Sequence, residues 1–340
     1  MSEGSSRIDL PDELFFDAAP YPRNEKEFKT LVKRLKHNAI GAEDFLDEPQ
    51  SLLVLRRWHA LDFPWHEPSG WDDFGTERRP VPPPLRPHQY ATETVTIDVQ
   101  LKKPLQTGRH KWSQVWRGTM SVSETNRSAP VVAKIFLESL FPPPEEFGVT
   151  EEEEQKSWPT GAQQARREAW AYWTLRSLQG RALPWSFGFF KVQLCHGEEA
   201  FAHIMEFIDR PSGRDTALDD PCREGEIRRL ADAISASFYE MVQLGVMHTD
   251  VNRRNMLIEL GDENPVVWID FAGAEPVCPV DVHYDGAAIV NALINMDFKQ
   301  RRLVDWLQDR RRLGPPWMSI YEELISNPRW LHKVEKNSWE

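Results

Sequence analysis

The segment His248–Gly273 constrains the fold more than any other part of the chain. It contains two acidic centres, Asp250 in the sequence HTD and Asp270 in the sequence DFAG. Two short apolar runs lie between them, Met256–Ile258 and Val266–Ile269, and their pattern is typical of buried strands joined by a turn. A hairpin of this kind would bring Asn255 and Asp270 close together.

The residue types in this segment match what phosphoryl transfer requires. That reaction needs metal ions held against phosphate groups and a carboxylate beside the attacking hydroxyl. Asn255 and Asp270 carry oxygen ligands of the kind that Mg²⁺ prefers, and Asp250 can orient an acceptor hydroxyl and take its proton. An acidic surface loop between two core strands would explain either half alone. Both halves, in this order, favour a site for phosphoryl transfer.

The segment resembles the catalytic loop and the D-F-G motif of the protein-kinase-like superfamily. The resemblance covers about residues 93–335 and implies an α+β, two-lobed fold. It predicts an N-lobe at 93–208, with a five-stranded antiparallel sheet and one helix, and a mainly helical C-lobe at 209–335. A flexible acidic insert is expected at 141–164. Residues 1–92 form an N-terminal extension, partly helical and then rich in Pro and Trp, that either docks, regulates or only packs against the domain.

A lysine inside an apolar strand is the predicted phosphate contact of the N-lobe. Lys134 lies within the sequence PVVAKIFL, and a charged group in such a strand is costly unless it is paired. Glu168, in the helical segment 165–175, is the predicted partner and occupies the position of the helix-borne glutamate of kinases. The pair would hold the ammonium group against the α and β phosphates of ATP. A solvated helical glutamate is the alternative for Glu168.

The turn before the second predicted strand lies where kinases carry a glycine-rich loop over the ATP phosphates. Only Gly108 matches that pattern, so an ordinary hairpin turn is the alternative. Val115 corresponds to the valine that packs on the adenine ring. Glu206 and Ile208 lie in the predicted hinge, where backbone N–H and C=O groups would pair with adenine.

The predicted helix Glu224–Gly245 leads directly into the His248 loop. Its apolar residues recur on one face, which is the pattern of an amphipathic helix packed on a core. Gly245 occupies the position of a glycine C-cap.

Two departures from the protein-kinase pattern bear on regulation. Thr249 replaces the arginine that pairs with an activation-loop phosphate in many protein kinases, and no A-P-E sequence follows Asp270. Arg254 lies where tyrosine kinases carry an arginine and could neutralise the transferring phosphate.

The predicted site residues are Asp250, Lys134, Glu168 and Arg254 for catalysis, Gly108, Val115, Lys134, Glu206 and Ile208 for ATP, and Asn255 and Asp270 for Mg²⁺.

The resemblance implies an ATP- and Mg²⁺-dependent kinase, and the first hypothesis is that it phosphorylates protein Ser/Thr hydroxyls. A small-molecule kinase resembling the aminoglycoside and choline kinases is an alternative, because those enzymes share H-x-D-x-x-x-x-N and also lack A-P-E. A nucleotide-binding pseudokinase or scaffold is a third hypothesis. The poor glycine loop favours it, and the intact acidic centres oppose it.

Composition limits the partners. The formal net charge of −12 opposes nucleic acid or an anionic membrane as the main partner. The three cysteines lack metal-type spacing, and no signal peptide or membrane-spanning apolar run is visible. We therefore expect an intracellular protein, cytoplasmic or nuclear, whose partners are ATP and either a protein or a small hydroxyl-bearing substrate. No oligomeric state is predicted.

Overall fold

The chain divides into two compact units. The sheet unit consists of the described residues within Asp9–Gly180 and Pro184–Phe207, and the helical unit of those within Arg181–Leu183 and Ile208–Glu340. Helices and antiparallel strands both occur, which confirms the predicted α+β class. The computed structural model describes residues 24–47, 52–57, 79, 97–122, 127–142, 160–194, 196–218, 220–277, 293 and 300–310.

Six antiparallel strands form the sheet unit. They are β1 (Leu52–Arg57), β2 (Ile97–Gln106), β3 (Gln114–Val122), β4 (Arg127–Phe136), β5 (Ser186–Gln193) and β6 (Glu199–Glu206). They close into a barrel in the order β1-β2-β3-β4-β6-β5. The helices of this unit are α1 (Glu25–Asp47) and α2 (Gly161–Thr174), with 3₁₀ turns at Glu138–Leu140 and Arg176–Leu178.

The predicted extension, residues 1–92, contributes α1 and β1 to the sheet unit. β1 pairs with β2 on one side and with β5 on the other, so the sheet has six strands rather than the five predicted. Ala39, Ala42 and Phe45 of α1 lie in the same apolar core as the barrel. The predicted boundary at residue 92 therefore does not separate these elements from the domain. The physical reason is that β2 and β5 would otherwise both be unpaired sheet edges.

Helix α2 begins inside the predicted insert at 141–164. Thr160 caps the helix: its hydroxyl accepts the N–H of Gln163 at 3.2 Å, and its own N–H donates to Gln163 Oε1 at 2.9 Å. This reciprocal cap satisfies two of the N–H groups that a helix start leaves unpaired. The insert is therefore shorter than predicted at its end, and its central part, 143–159, lies outside the described residues.

The helical unit is organised around α3 (Glu224–Gln243). The predicted apolar face is buried, and Gly245 follows the helix with a φ of 87°, as expected for a glycine C-cap. The remaining elements are β7 (Val246–Met247), β8 (Met256–Ile258), β9 (Val266–Trp268), β10 (Glu275–Pro276) and α4 (Gln300–Arg310). In the part of the chain that the structure describes, no helix combines the length and apolarity needed to cross a membrane.

Candidate active site

Asn255 and Asp270 lie at the same end of the predicted hairpin. β8 and β9 pair antiparallel, with Met256 opposite Trp268. One residue beyond this pair, the N–H of Ile269 donates to the carbonyl oxygen of Asn255 at 3.0 Å. This bond places Asn255 beside the residue that precedes Asp270, as the sequence predicted.

Two asparagine side chains hold the Asp250 carboxylate. Asn252 Nδ2 donates to Oδ1 at 2.7 Å, and Asn255 Nδ2 donates to Oδ2 at 2.8 Å and to the Asp250 carbonyl at 2.9 Å. Asp250 itself is exposed, whereas Asn255 is only 6% exposed. The carboxylate is therefore fixed from the protein side and open towards solvent, where an acceptor hydroxyl can approach.

The Asn255 amide is engaged through its nitrogen. A carboxylate oxygen only accepts hydrogen bonds, so the group that faces Asp250 must be Nδ2. Within the described residues, Oδ1 of Asn255 makes no hydrogen bond. A buried amide held in this way leaves an oxygen available as a metal ligand.

Asp270 adopts a left-handed backbone conformation, with a φ of 65°. Asp and Asn tolerate this conformation better than most residues, but it still costs about 1 kcal/mol. The backbone of the preceding residue, Ile269, is held through both of its polar groups. Its carbonyl accepts His248 Nε2–H at 3.0 Å, and its N–H donates to the carbonyl of Asn255. These bonds fix the direction in which the chain presents Asp270.

The donor set fits Mg²⁺. The Asn255 oxygen and the Asp270 carboxylate are hard oxygen ligands, and Mg²⁺ commonly takes one or two protein carboxylates or amides and completes its shell with water and phosphate. Across the described ranges there is no group of three or more His, Cys, Asp or Glu that could hold a metal by itself.

His248 and Thr249 tie the two acidic centres together. The His248 ring is buried, and its centroid lies 4.7 Å from that of Phe271. Thr249 Oγ1 donates to the carbonyl of Gly273 at 2.6 Å. Thr249 thus links the loop to the end of the DFAG sequence, a contact that sequence analysis did not predict because it joins residues 24 positions apart.

Lys134 and Glu168 form the predicted ion pair within the sheet unit. Lys134 Nζ donates to Glu168 Oε2, and the two residues are 4% and 0% exposed. Lys134 lies on β4 directly opposite Val115 on β3, so both predicted ATP contacts share one position in the sheet. The solvated alternative for Glu168 is therefore wrong.

His203 is a buried residue that sequence analysis missed. Its Nδ1 lies 2.8 Å from Glu168 Oε1 and its Nε2 lies 2.9 Å from Ser186 Oγ. Burial lowers the pKa of His203, because desolvation of the charged ring outweighs the attraction of the neighbouring Glu168. The one available signal was a histidine inside the apolar strand FAHIM, which needs a partner when buried.

The Gly108 loop is held by hydrogen bonds to the side chain of Gln114 and to the backbone of Leu140. Gly108 has a φ of 112°, its N–H donates to Gln114 Oε1 at 2.7 Å, and its carbonyl accepts Gln114 Nε2–H at 3.0 Å. The N–H of His110 donates to the carbonyl of Leu140 at 2.8 Å. These two N–H groups are engaged within the protein, so they are not phosphate donors in this conformation.

The predicted hinge residues are also engaged. Arg79 binds the Glu206 carboxylate through two bonds of 3.0 and 3.1 Å, and the N–H of Glu206 donates to the carbonyl of Trp185 at 2.9 Å. The carbonyl of Ile208 accepts the N–H of Arg210 at 2.9 Å. In this conformation the Glu206 N–H is engaged, whereas the carbonyl of Ile208 can accept a second bond, so the adenine contact of the hinge stays a prediction.

The adjacent arginines of the catalytic loop differ in their contacts. Arg253 donates to the carbonyls of Gly213 at 2.8 Å and Thr216 at 2.6 Å, and it fastens the loop to the preceding turn. Arg254 is exposed, and its guanidinium has no partner among the described residues; only its backbone N–H is engaged, with Asn252 Oδ1 at 2.9 Å. Arg254 is thus the arginine available to an anionic ligand.

Comparisons with known proteins add little to this geometry. No protein-family model matches the chain, and no curated protein matches it. Among solved structures, it is similar to one titled "WaaP in complex with acyl carrier protein", with 17% identity over 71% of this chain and 90% of that chain and a TM-score of 0.41. A likeness at this level carries no argument about fold or activity, and the candidate site rests on its own contacts.

Proposed function

We propose that the chain is an ATP- and Mg²⁺-dependent phosphotransferase of the protein-kinase-like type that acts on an alcohol hydroxyl. The Asn255 amide is the observation that carries the proposal. Its nitrogen holds the carboxylate of Asp250, and its oxygen remains open at the hairpin end from which Asp270 follows. One side chain therefore serves both the proposed base and the proposed metal site.

The helical unit supplies the acceptor side of the reaction. Asp250 orients the hydroxyl and accepts its proton, because its carboxylate is fixed by two amides and open to solvent. Asn255 and Asp270 would hold Mg²⁺, which when bound neutralises charge on the phosphates. Arg254, whose guanidinium has no partner among the residues that the structure describes, would contact the transferring phosphate.

The sheet unit supplies a phosphate contact on the nucleotide. The bond to Glu168 fixes the orientation of the Lys134 ammonium. A buried ammonium with a fixed orientation is suited to bind phosphate oxygens.

The acceptor that we propose first is a protein serine or threonine, and a small hydroxyl-bearing molecule is the alternative within the same chemistry. Asp250 serves either acceptor in the same way, since only the hydroxyl contacts it. Incubation with labelled ATP and, in parallel, a protein mixture and a panel of small alcohols distinguishes the two by where the label appears.

A nucleotide-binding protein without turnover is the second candidate. The observation that favours it is the engagement of the Gly108 and His110 N–H groups within the protein. In that case ATP would bind, and the label would reach neither proteins nor small alcohols.

Thermal unfolding with ATP, with and without Mg²⁺, tests the proposed site. A ligand that binds only the folded state stabilises it by about 2.7 kcal/mol at a hundredfold excess over Kd. We expect a Mg²⁺-dependent rise in Tm that is lost in Asp270→Asn. Asparagine tolerates the left-handed conformation at this position, so the variant removes the charge without straining the backbone.

Glu263→Gln is the matched control, because Glu263 is exposed in the turn of the same hairpin. This variant should retain the full Mg²⁺-dependent shift. The absence of any shift in the wild-type protein at millimolar ATP would overturn the proposed function, and an equal shift in Asp270→Asn would overturn the metal assignment.

Replacing Arg254 should lower activity, whereas replacing Arg253 should lower stability. Arg254→Ala is expected to lower kcat/KM roughly a hundredfold, because it removes a charge that stabilises the transferring phosphate, and to change the free energy of unfolding by less than about 0.5 kcal/mol. Arg253→Ala is expected to destabilise the helical unit by about 1–3 kcal/mol, because the carbonyl of Thr216 loses its Arg253 donor and the carbonyl of Gly213 keeps only the N–H of Thr216.

Steady-state kinetics and urea unfolding of both variants check this contrast. If Arg254→Ala left kcat/KM at the wild-type value, Arg254 would have no role in transfer.

A further inference from the structure

The Lys134–Glu168 pair continues into a buried hydrogen-bonded chain of four residues. Glu168 uses Oε2 for Lys134 and Oε1 for His203, and His203 reaches Ser186 through its other ring nitrogen. Lys134, Glu168 and His203 are 4%, 0% and 0% exposed, so each polar group depends on its partner rather than on water. The ion pair is therefore one part of a longer network.

The proton positions in this chain follow from its chemistry. An ionised Glu168 can only accept, so His203 Nδ1 must donate to it. The lowered pKa of His203 indicates a neutral ring, whose Nε2 then accepts the hydroxyl proton of Ser186. Glu168 therefore sets the tautomer, and the Ser186 hydroxyl, which can donate or accept, donates to the ring nitrogen that carries no proton.

The sheet holds the His203 ring in place. His203 on β6 lies directly opposite Lys134 on β4 and opposite Phe189 on β5. The Phe189 ring stacks on the imidazole, with centroids 4.1 Å apart and planes 12° apart, and Tyr172 packs edge-on at 4.5 Å. Both rings restrict rotation of the imidazole, so its N–H has a defined direction.

We propose that His203 is a positioning residue that holds the second oxygen of Glu168 and thereby directs the first oxygen to Lys134. Without this bond the Glu168 carboxylate could rotate, and the Lys134 ammonium would no longer be held in one orientation. The effect on nucleotide affinity rests on the proposed function, whereas the effect on Lys134 itself does not.

Two replacements of His203 separate positioning from packing. His203→Phe keeps an aromatic ring between Phe189 and Tyr172 but removes the N–H donor. His203→Asn loses the ring but retains an amide N–H at the position of Nδ1. A positioning role predicts damage in the first variant and rescue in the second, whereas a packing role predicts the reverse.

Steady-state kinetics form the first arm of the test. We expect His203→Phe to raise the KM for ATP about tenfold while kcat changes less than about threefold, and His203→Asn to stay within about threefold of the wild-type KM. Ser186→Ala, which removes only the bond to the other ring nitrogen of His203, should raise KM at most about threefold.

Chemical labelling of Lys134 forms the second arm and needs no nucleotide. Reductive dimethylation of the folded full-length protein, read by mass spectrometry, should label Lys134 about threefold faster in His203→Phe than in wild type or His203→Asn. Lys191, a half-exposed lysine on β5, provides the internal reference, and its rate should be equal in all variants.

The two arms distinguish the outcomes. Wild-type rates of Lys134 labelling and a wild-type KM in His203→Phe would overturn the proposal, as would equal loss in both His203 variants. If the wild-type protein bound no ATP, the proposed function would fail, and the labelling arm alone would decide the role of His203. If His203→Phe did not fold, His203→Leu would take its place, since it also lacks the N–H donor to Glu168, and wild-type labelling of Lys134 in that variant would overturn the proposal.

Discussion

Replacing Asp250 with asparagine is expected to lower the rate of phosphoryl transfer about a thousandfold while ATP binding is retained. Asparagine cannot take the proton of the acceptor hydroxyl, and a general base contributes about 10²–10⁴-fold to such a step. Its amide oxygen can still accept the bond from Asn255, so the amide that also serves the metal site keeps its orientation. Only the bond to Asn252, on the exposed side, is lost.

Single-turnover kinetics and the Mg-ATP-dependent shift in Tm check this prediction on the same protein preparation. Glu263→Gln again provides the control, since it removes an exposed carboxylate from the same hairpin without touching Asp250. Unchanged turnover in Asp250→Asn would remove the proposed base.

Replacing Lys134 with methionine is expected to lower the free energy of unfolding by about 3–5 kcal/mol. Methionine fills much of the volume of the lysine, so the loss comes chiefly from the Glu168 carboxylate, which stays fully buried with only the neutral His203 to bind it. A buried charge that loses its partner retains the full cost of desolvation. Phosphoryl transfer should be lost as well, because the phosphate contact is absent.

The double variant Lys134→Met, Glu168→Gln should recover most of that stability, because it removes the unpaired charge and keeps an amide oxygen to accept the bond from His203. Lys191→Met makes the same change at an exposed pair with Glu199, 2.9 Å apart on β5 and β6, and should cost less than about 1 kcal/mol. Urea unfolding measures all three variants. Equal costs for Lys134→Met and Lys191→Met would contradict the view that burial dominates the energy of the Lys134 pair.

The sequence by itself determined the hairpin, the helix that leads into it and the partner of Lys134. Each of these depends on local pattern. The two apolar runs around Gly261–Pro265 are too short for helices and are separated by turn residues, and the structure pairs them as an antiparallel hairpin. A lysine in an apolar strand requires a carboxylate, and Glu168 stood on the nearest predicted helix.

Only the tertiary structure showed which distant residues contact Glu168, Glu206 and the Gly108 loop. The Glu168 carboxylate has two oxygens, and no local rule could show that the second one binds His203 from another strand. The Glu206 side chain is bound by Arg79, 127 positions away. The sequence left both a phosphate loop and an ordinary turn possible at Gly108, and only the structure shows that Gln114 folds back onto it.

The placement of α1 and β1 shows the same limit at the level of the fold. Their apolar residues marked them as helix and strand, but nothing local assigned them to the barrel, because the neighbours of β1 are β2 and β5. Periodicity reports which face of an element is buried, and it does not report what buries it. Spacing within about 25 residues therefore determined the β8–β9 hairpin. Closure of the barrel decided how distant strands pair and which partners the buried polar groups have.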